Sequence, residues 1–291
     1  MFRRLSPLLP LWLILGLRLL PGLPVAHAES FSTQASAAFL SPAPASGDCS
    51  LKDATPATVV TVNADAIVGV ELLLDDGRRT TLAGLEFSSP GALLQQKISH
   101  WLARQLVFVG PTTPDRWGRS PALLFAAAGT GPSSPLIAVG AAAIEAGLAR
   151  YRPDPVAAPC RTDFLAAESR ARAQRTGLWA NPDLWPVDAE APEATAILNL
   201  RKGLTLVEGV VRSVGAGPRA FYLNFGHRRA VDFAVVISRR FSYNQPDSGF
   251  EPAQLIGRRV RVRGLIDTNR GPRIEIAGPE DIEIVESFSA P

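Results

Sequence analysis

The chain has 291 residues, 46% of them apolar, which suits one or two domains with ordinary buried cores. Its formal charge of +3 does not indicate a uniformly basic protein. Of 30 Lys+Arg set against 27 Asp+Glu, three arginines (Arg3, Arg4 and Arg18) lie in the N-terminal segment, leaving 27 of each sign beyond it. The remaining charges separate: residues 29–200 hold 13 basic and 17 acidic side chains, whereas residues 201–291 hold 14 and 10, so any phosphate-attracting field belongs to the C-terminal part.

In chain order, Arg3 and Arg4 precede PLLPLWLILGLRLL, and Ala26-His27-Ala28 offers a small-residue cleavage site. Residues 1–28 are predicted to be a secretory signal, giving an exported, periplasmic or secreted protein without a transmembrane span in its mature form. Residues 29–57 read as a flexible leader carrying Cys49. Cys49 and Cys160 are the two cysteines, and in an exported chain an even pair favours one disulfide, tying the leader to the start of a late helix. A metal site at these cysteines is disfavoured, since His100 and His227 lie far from both.

From Thr58 the segments TVVTV, AIVGVELLL and RRTTLAGL alternate like strands, with the hairpin signal Asp75-Asp76-Gly77 between the last two. Residues 92–106 carry Leu93, Leu94, Ile98, Trp101 and Leu102 at helical spacing. Strands are predicted at 106–109 and 121–128, flanking a turn, DRWGR. Helices are predicted at 135–149 and 161–177, the latter opened by Thr162/Asp163 and stopped by Gly177. Residues 188–200 read as a linker. Strands resume at 204–214, 220–225, 231–237, 258–266 and 272–277, a spacing that indicates a small β-barrel or sandwich over 201–288.

Four stretches then stand out in order: VNADAIVGVELLLDDGRRTTLAGLE, DRWGR, IEAGLARY and FLAAESRARAQRTGLW. Residues 58–187 that contain them resemble the staphylococcal-nuclease-like (thermonuclease) family. The stretches are similar to its V-x-D-G-D-T…R-L-x-G-I-D-x-P-E region, its D-[KR]-Y-G-R turn, its L-x-x-G-L-A-x-V segment and its A-E-x-x-A-[RK]-x-x-x-x-G-[LI]-W ending. The C-terminal part resembles an extra domain of some exported bacterial members. The resemblance implies an α+β, mainly β fold: a five-stranded OB-type barrel with three helices, followed by a second small OB-like β-barrel.

It also implies a phosphodiester site in which Ca2+ is held by oxygen ligands, a glutamate activates water and two arginines clamp the transition state. In this chain the inheritance is partial. Asp65 falls on the first metal-binding aspartate and Glu86 on the second, giving Asp65 and Glu86 as metal candidates. Arg119 falls on one arginine, Thr81 on the other, and Ser89 on the general-base glutamate. On this reading Arg79 or Arg78 supplies the missing guanidinium only through a strand slip. Serine cannot deprotonate water without a neighbouring base, and losing a positioned base costs about 10²–10⁴ in rate. A nuclease fold with weakened or lost hydrolysis follows, with an active Ca2+-dependent DNA or RNA nuclease and a structural, protein-interaction module of the envelope as the other readings.

Each candidate also has a plainer role. Asp115 pairs with an arginine or caps its turn while Trp117 packs on the barrel; Arg116 lies along the surface. Asp65 is a turn residue, Glu86 a solvated acid, and Glu168 pairs with Arg172 one helical turn on. Trp101, Trp179 and Trp185 read as core or rim anchors, and His100 as surface. In the C-terminal part Arg259, Arg261 and Arg263 share one strand face, and with Tyr222 they are the candidates for binding nucleic acid or another polyanion. The plainer reading there is a solvated face, and the opposite charges of the two parts make their docking plausible.

Overall fold

The computed structural model describes residues 49, 54–65, 69–87, 98–99, 102, 106–110, 114–129, 134–239, 250–276, 278 and 281–285. The predicted signal, most of the leader, Ser89 and most of the predicted helix at 92–106, with His100 and Trp101, lie outside the described residues. The fold is mixed α+β and dominated by sheet, with helices α1 (Val139–Glu145), α2 (Arg161–Ala173) and α3 (Ala194–Leu200) among the described residues.

The first sheet contains β1 (Thr55–Ala57), β2 (Val59–Asp65), β3 (Gly69–Leu74), β4 (Arg79–Leu82), β6 (Leu106–Val109), β7 (Arg119–Ala127) and β8 (Leu136–Ala138). Its order is β1-β6-β7-β4-β3-β2, with β8 on β7, and β5 (Leu85–Phe87) pairs separately with β9 (Ala149–Tyr151). The β3–β4 hairpin forms where Asp75-Asp76-Gly77 predicts it, with Gly77 at φ +84° and Asp76 Oδ1 accepting from the Arg78 amide at 2.9 Å. Val70, Leu72 and Leu74 alternate inward along β3. Strand β4 then runs parallel to β7, placing Arg79 beside Arg119 and Thr81 beside Pro121. The buried Thr80 hydroxyl donates to Ser120 O at 2.6 Å, locking that register. Strand β7 is buried without alternation from Ala122 to Ala126, as expected of a strand covered on both faces.

The apolar run at 135–149 is three elements rather than one helix: β8, α1 and the start of β9. Helix α2 starts at Arg161, so Thr162 and Asp163 lie inside its first turn instead of capping it. Nor does Gly177 stop this helix: it ends at Ala173, and Arg175, at φ 53°, turns the chain. Gly177 serves a close approach. A Cβ there would sit 2.4 Å from Gly147 O, and one on Gly147 would sit 2.1 Å from Thr176 O. The two bare backbones meet through the Leu178 N–H to Gly147 O bond of 2.9 Å. Cys160, immediately before α2, is disulfide-bonded to Cys49. Closing this loop of sequence separation 111 is worth about 4–5 kcal/mol in the chain-entropy model.

The stretch expected to be a linker carries regular structure. The end of β10 (Val187–Asp188) opens it and α3 closes it, burying Ala194 and Leu198. The second sheet adds β11 (Leu204–Val210), β12 (Ser213–Ala216), β13 (Ala220–Asn224), β14 (Ala234–Ser238), β15 (Arg259–Asp267), β16 (Arg273–Ile276) and β17 (Ile282–Ile284). Its order is β10-β11-β15-β16-β14-β13-β12, with β17 on β15. Neither sheet closes into a barrel among the described residues. The sheets have separate apolar cores, centred on residues such as Leu72, Phe125 and Phe164 in one and Val207, Val235 and Ile274 in the other. Both belong to one compact unit spanning Phe39–Pro291. Ala171 and Trp179 join Leu206 in a small apolar cluster between them.

Candidate functional site

A cleft of about 810 Å³ opens beside the DRWGR turn, where β3, β4, β5 and β7 converge; its walls include Arg79, Thr81, Glu86, Trp117, Arg119 and Asp154. Three candidates from the sequence, Thr81, Glu86 and Arg119, are therefore brought together. Asp65 ends β2 opposite Gly69, and its side chain lies outside the described residues.

Most of the charges in this cleft neutralise one another. Asp115 Oδ2 accepts from Arg119 Nε at 3.2 Å and Nη2 at 3.0 Å, while its Oδ1 accepts from the amides of Trp117 and Arg119, both at 2.9 Å. Asp115 thus both caps the turn and pairs with an arginine. Burial alone would push the Asp115 carboxyl up, but the amides of Arg119 and Trp117 and the Arg119 guanidinium outweigh it and hold the carboxyl below its usual range. Trp117 is not a buried anchor on the sheet. It is 55% exposed, with Arg116 stacked 3.9 Å from its ring centre and Arg119 at 4.9 Å.

Arg79 enters the cleft without any strand slip. It is two residues from Thr81 and therefore on the same face of β4, which corrects the sequence expectation. Its guanidinium grips both Glu71 oxygens at 2.8 and 3.0 Å and donates to Trp117 O at 3.1 Å. Arg78 turns away to Asp76.

Glu86 is no solvated acid. It lies across from Arg150 in the β5–β9 pair, and its Oε1 accepts from Arg150 Nη2 at 2.7 Å. Arg150 is 4% exposed, so Glu86 compensates a buried cation. The Ca2+ implied by the resemblance would draw on Glu86 and Asp65, and the Asp65 side chain is not among the described residues. Oε1 of Glu86 is taken by Arg150, and no group of three His, Cys, Asp or Glu side chains converges among the described residues. Sequence reading missed Arg150, Arg152 and Asp154. Asp154 lines the cleft and accepts from the Val156 amide at 2.8 Å, and Arg152 beside it is exposed. The signal for Arg150 was its cross-strand register with Glu86, which only the pairing of β5 with β9 reveals.

The C-terminal candidates divide. Arg259, Arg261 and Arg263 do share one face of β15, but that face is lined with acids. Arg259 Nη1 donates to Glu190 at 3.1 Å, and Arg261 Nε donates to Glu208 at 2.6 Å. Arg263, 3% exposed, donates to Glu168 at 2.9 Å and to Tyr151 O at 2.8 Å, and also pairs with Glu283. Burial alone would lower the Arg263 pKa; the charges of Glu168 and Glu283 more than offset it and hold it above the usual arginine range. Glu168 also lies 3.7 Å from Arg172, the local partner expected from the sequence, but its main partners are Arg263 and the Tyr151 amide. This is the electrostatic seam that docks β15 onto α2 and β9. A buried guanidinium so engaged is unavailable to nucleic acid, which corrects the expectation for Arg263.

Tyr222 is elsewhere, 39% exposed on β13, in a separate cleft with Arg228, Arg229, Arg270 and Arg273. Trp179 is fully buried and Trp185 half-buried, its Nε1 donating to Trp179 O at 2.9 Å. Among the described residues no helix is long and apolar enough to cross a membrane, and the disulfide is compatible with export. The chain matches no protein-family model and no curated protein.

Proposed function

We propose that this is an exported thermonuclease-like protein of OB-type ancestry whose phosphodiester cleft no longer hydrolyses efficiently, and which binds nucleic acid or another polyanion. The observation that carries this reading is the mutual neutralisation of the cleft: Arg119 with Asp115, Arg79 with Glu71, and Glu86 with Arg150. A transition-state clamp needs guanidinium groups free to follow charge as it develops. A general base needs a carboxylate free to take a proton. Here the best-placed members of both classes are occupied by one another, and Thr81 stands where a second family arginine is expected.

Purified protein incubated with single- and double-stranded DNA and RNA, with Ca2+ and then with chelator, tests this. The expected outcome is turnover indistinguishable from the protein-free control. Brisk, chelator-sensitive digestion that disappears in Arg119→Ala would overturn the reading. An active nuclease is the second reading, favoured by one observation: Asp154 faces the cleft with only a turn amide as its described partner. If digestion occurs and is abolished in Asp154→Asn, that carboxylate is the base and the second reading replaces the first.

A further inference from the structure

The second cleft, about 300 Å³ on the β13–β14 face, differs in kind from the first. Four arginines gather there: Arg228, Arg229, Arg270 and Arg273. Asp232 takes Arg228 at 2.7 Å, and Asp267 takes Arg273. Four cations against these two carboxylates leave a net +2, carried by Arg229 and Arg270, both exposed and with no acidic partner among the described residues.

The cleft is also pre-shaped. Asp232 folds the 226–232 loop back on itself, accepting from the Arg228 amide at 2.8 Å. The Arg228 guanidinium and amide, ahead of the opposing effect of burial, hold that carboxyl below its usual range. The Thr195 hydroxyl on α3 donates to Val231 O at 3.3 Å, pinning the loop from outside. On the other side the loop meets the β15–β16 turn so closely that a Cβ on Gly271 would lie 2.7 Å from Ala230 O. Arg229 and Arg270 are therefore delivered by two segments packed backbone to backbone. Tyr222 supplies an exposed ring, and its partner across β12 is Gly215, which places no side chain over it. Asn224, two residues along the same face, donates its amide to Ser213 Oγ at 3.1 Å.

We infer that this cleft binds one nucleotide unit of single-stranded nucleic acid, its phosphate on Arg229 and Arg270 and its base stacked on Tyr222. The volume suits a single small ligand rather than a duplex. Cationic side chains beside an exposed aromatic are the minimal apparatus for sequence-tolerant single-strand binding. The inference rests on the polyanion-binding reading, but not on whether the first cleft hydrolyses.

Fluorescence anisotropy with labelled oligo-dT and oligo-U of about 15 nucleotides, in about 50 to 200 mM salt, tests it on the full chain. Arg229→Ala combined with Arg270→Ala should flatten the slope of log affinity against log salt by about 0.7, the loss of one single-strand phosphate contact. Tyr222→Ala should weaken binding by about 5- to 150-fold while leaving that slope unchanged, and Tyr222→Phe should restore it. Competition by thymidine or uridine monophosphate supports the one-nucleotide site; competition only by longer strands overturns it. Wild-type binding that none of these variants alters overturns the site but leaves polyanion binding standing. Failure of the wild type to bind any strand, or a preference for poly-glutamate, overturns the inference, and failure with every polyanion overturns the reading beneath it.

Discussion

The three arginines of β15 and the two of the DRWGR turn each crowd a short stretch, yet they do opposite work. Along β15 the side chains go from 32% exposed at Arg259 through 15% at Arg261 to 1% at Arg263. At the turn Arg116 is exposed and Arg119 is half-buried beside an exposed tryptophan. The contrast teaches that an arginine's meaning is set by what lies opposite it. Strand alternation identifies a shared face, but it does not say whether water or another sheet covers that face.

Breaking the buried end of the comparison should have the largest effect. Arg263→Ala leaves Glu168 and Glu283 without their shared cation in a dry seam, and should cost about 3–5 kcal/mol in urea unfolding. A loss below about 1 kcal/mol would mean that the seam is wet. Next comes Glu86→Ala, which strands the Arg150 guanidinium; its stability loss should fall between those of Arg263→Ala and Arg119→Ala, because one side of the pair is open to the cleft. Acid sharpens the same comparison. Burial pushes the Glu283 carboxyl up, but Arg263 and Arg261 outweigh it, so its folded pKa lies below the ordinary 4.5. A depressed carboxylate contributes stability that is complete above its unfolded pKa and disappears as pH falls through the folded value. Unfolding midpoints should therefore decline below about pH 4.5, and Glu283→Gln should flatten that decline. An unchanged profile in the variant would assign the acid sensitivity to other groups. Arg119→Ala should do least: the pair is half-buried and local, four residues apart at the open cleft, and Asp115 keeps the Trp117 and Arg119 amides, so the thermal midpoint should barely move.

The sequence made the local elements legible wherever short-range chemistry decides them. Asp75-Asp76-Gly77 specified its hairpin, and the paired cysteines specified their bridge. The apolar run from Pro135 misled because a continuous apolar stretch has no period, so a buried strand and a buried helix look alike in it. Helix α3 was missed because its seven residues, rich in alanine and leucine but flanked by Pro192 and Glu190, gave a loop-like composition. In the candidate site the positions of Thr81, Glu86 and Arg119 were readable, and their partners were not. Glu86 meets Arg150 at 64 residues' separation and Arg263 meets Glu168 at 95, distances over which no local pattern survives. Arg79 was readable in principle: counting two residues back from Thr81 puts it on the same face, with no slip required.

Strand β17 contributes one carboxylate, Glu283, to a seam whose other members lie on α2, β9 and β15. A chain delivered from its N-terminus has Glu168 and Arg263 available before that last acid emerges. Termination or clipping ahead of Ile282 would then take Ile282 out of the second core, strip β17 from β15 and leave the clasp short of a negative charge, with Arg261 and Arg263 held by Glu208 and Glu168 alone. Such a species should be cut faster than the intact chain under pulse proteolysis.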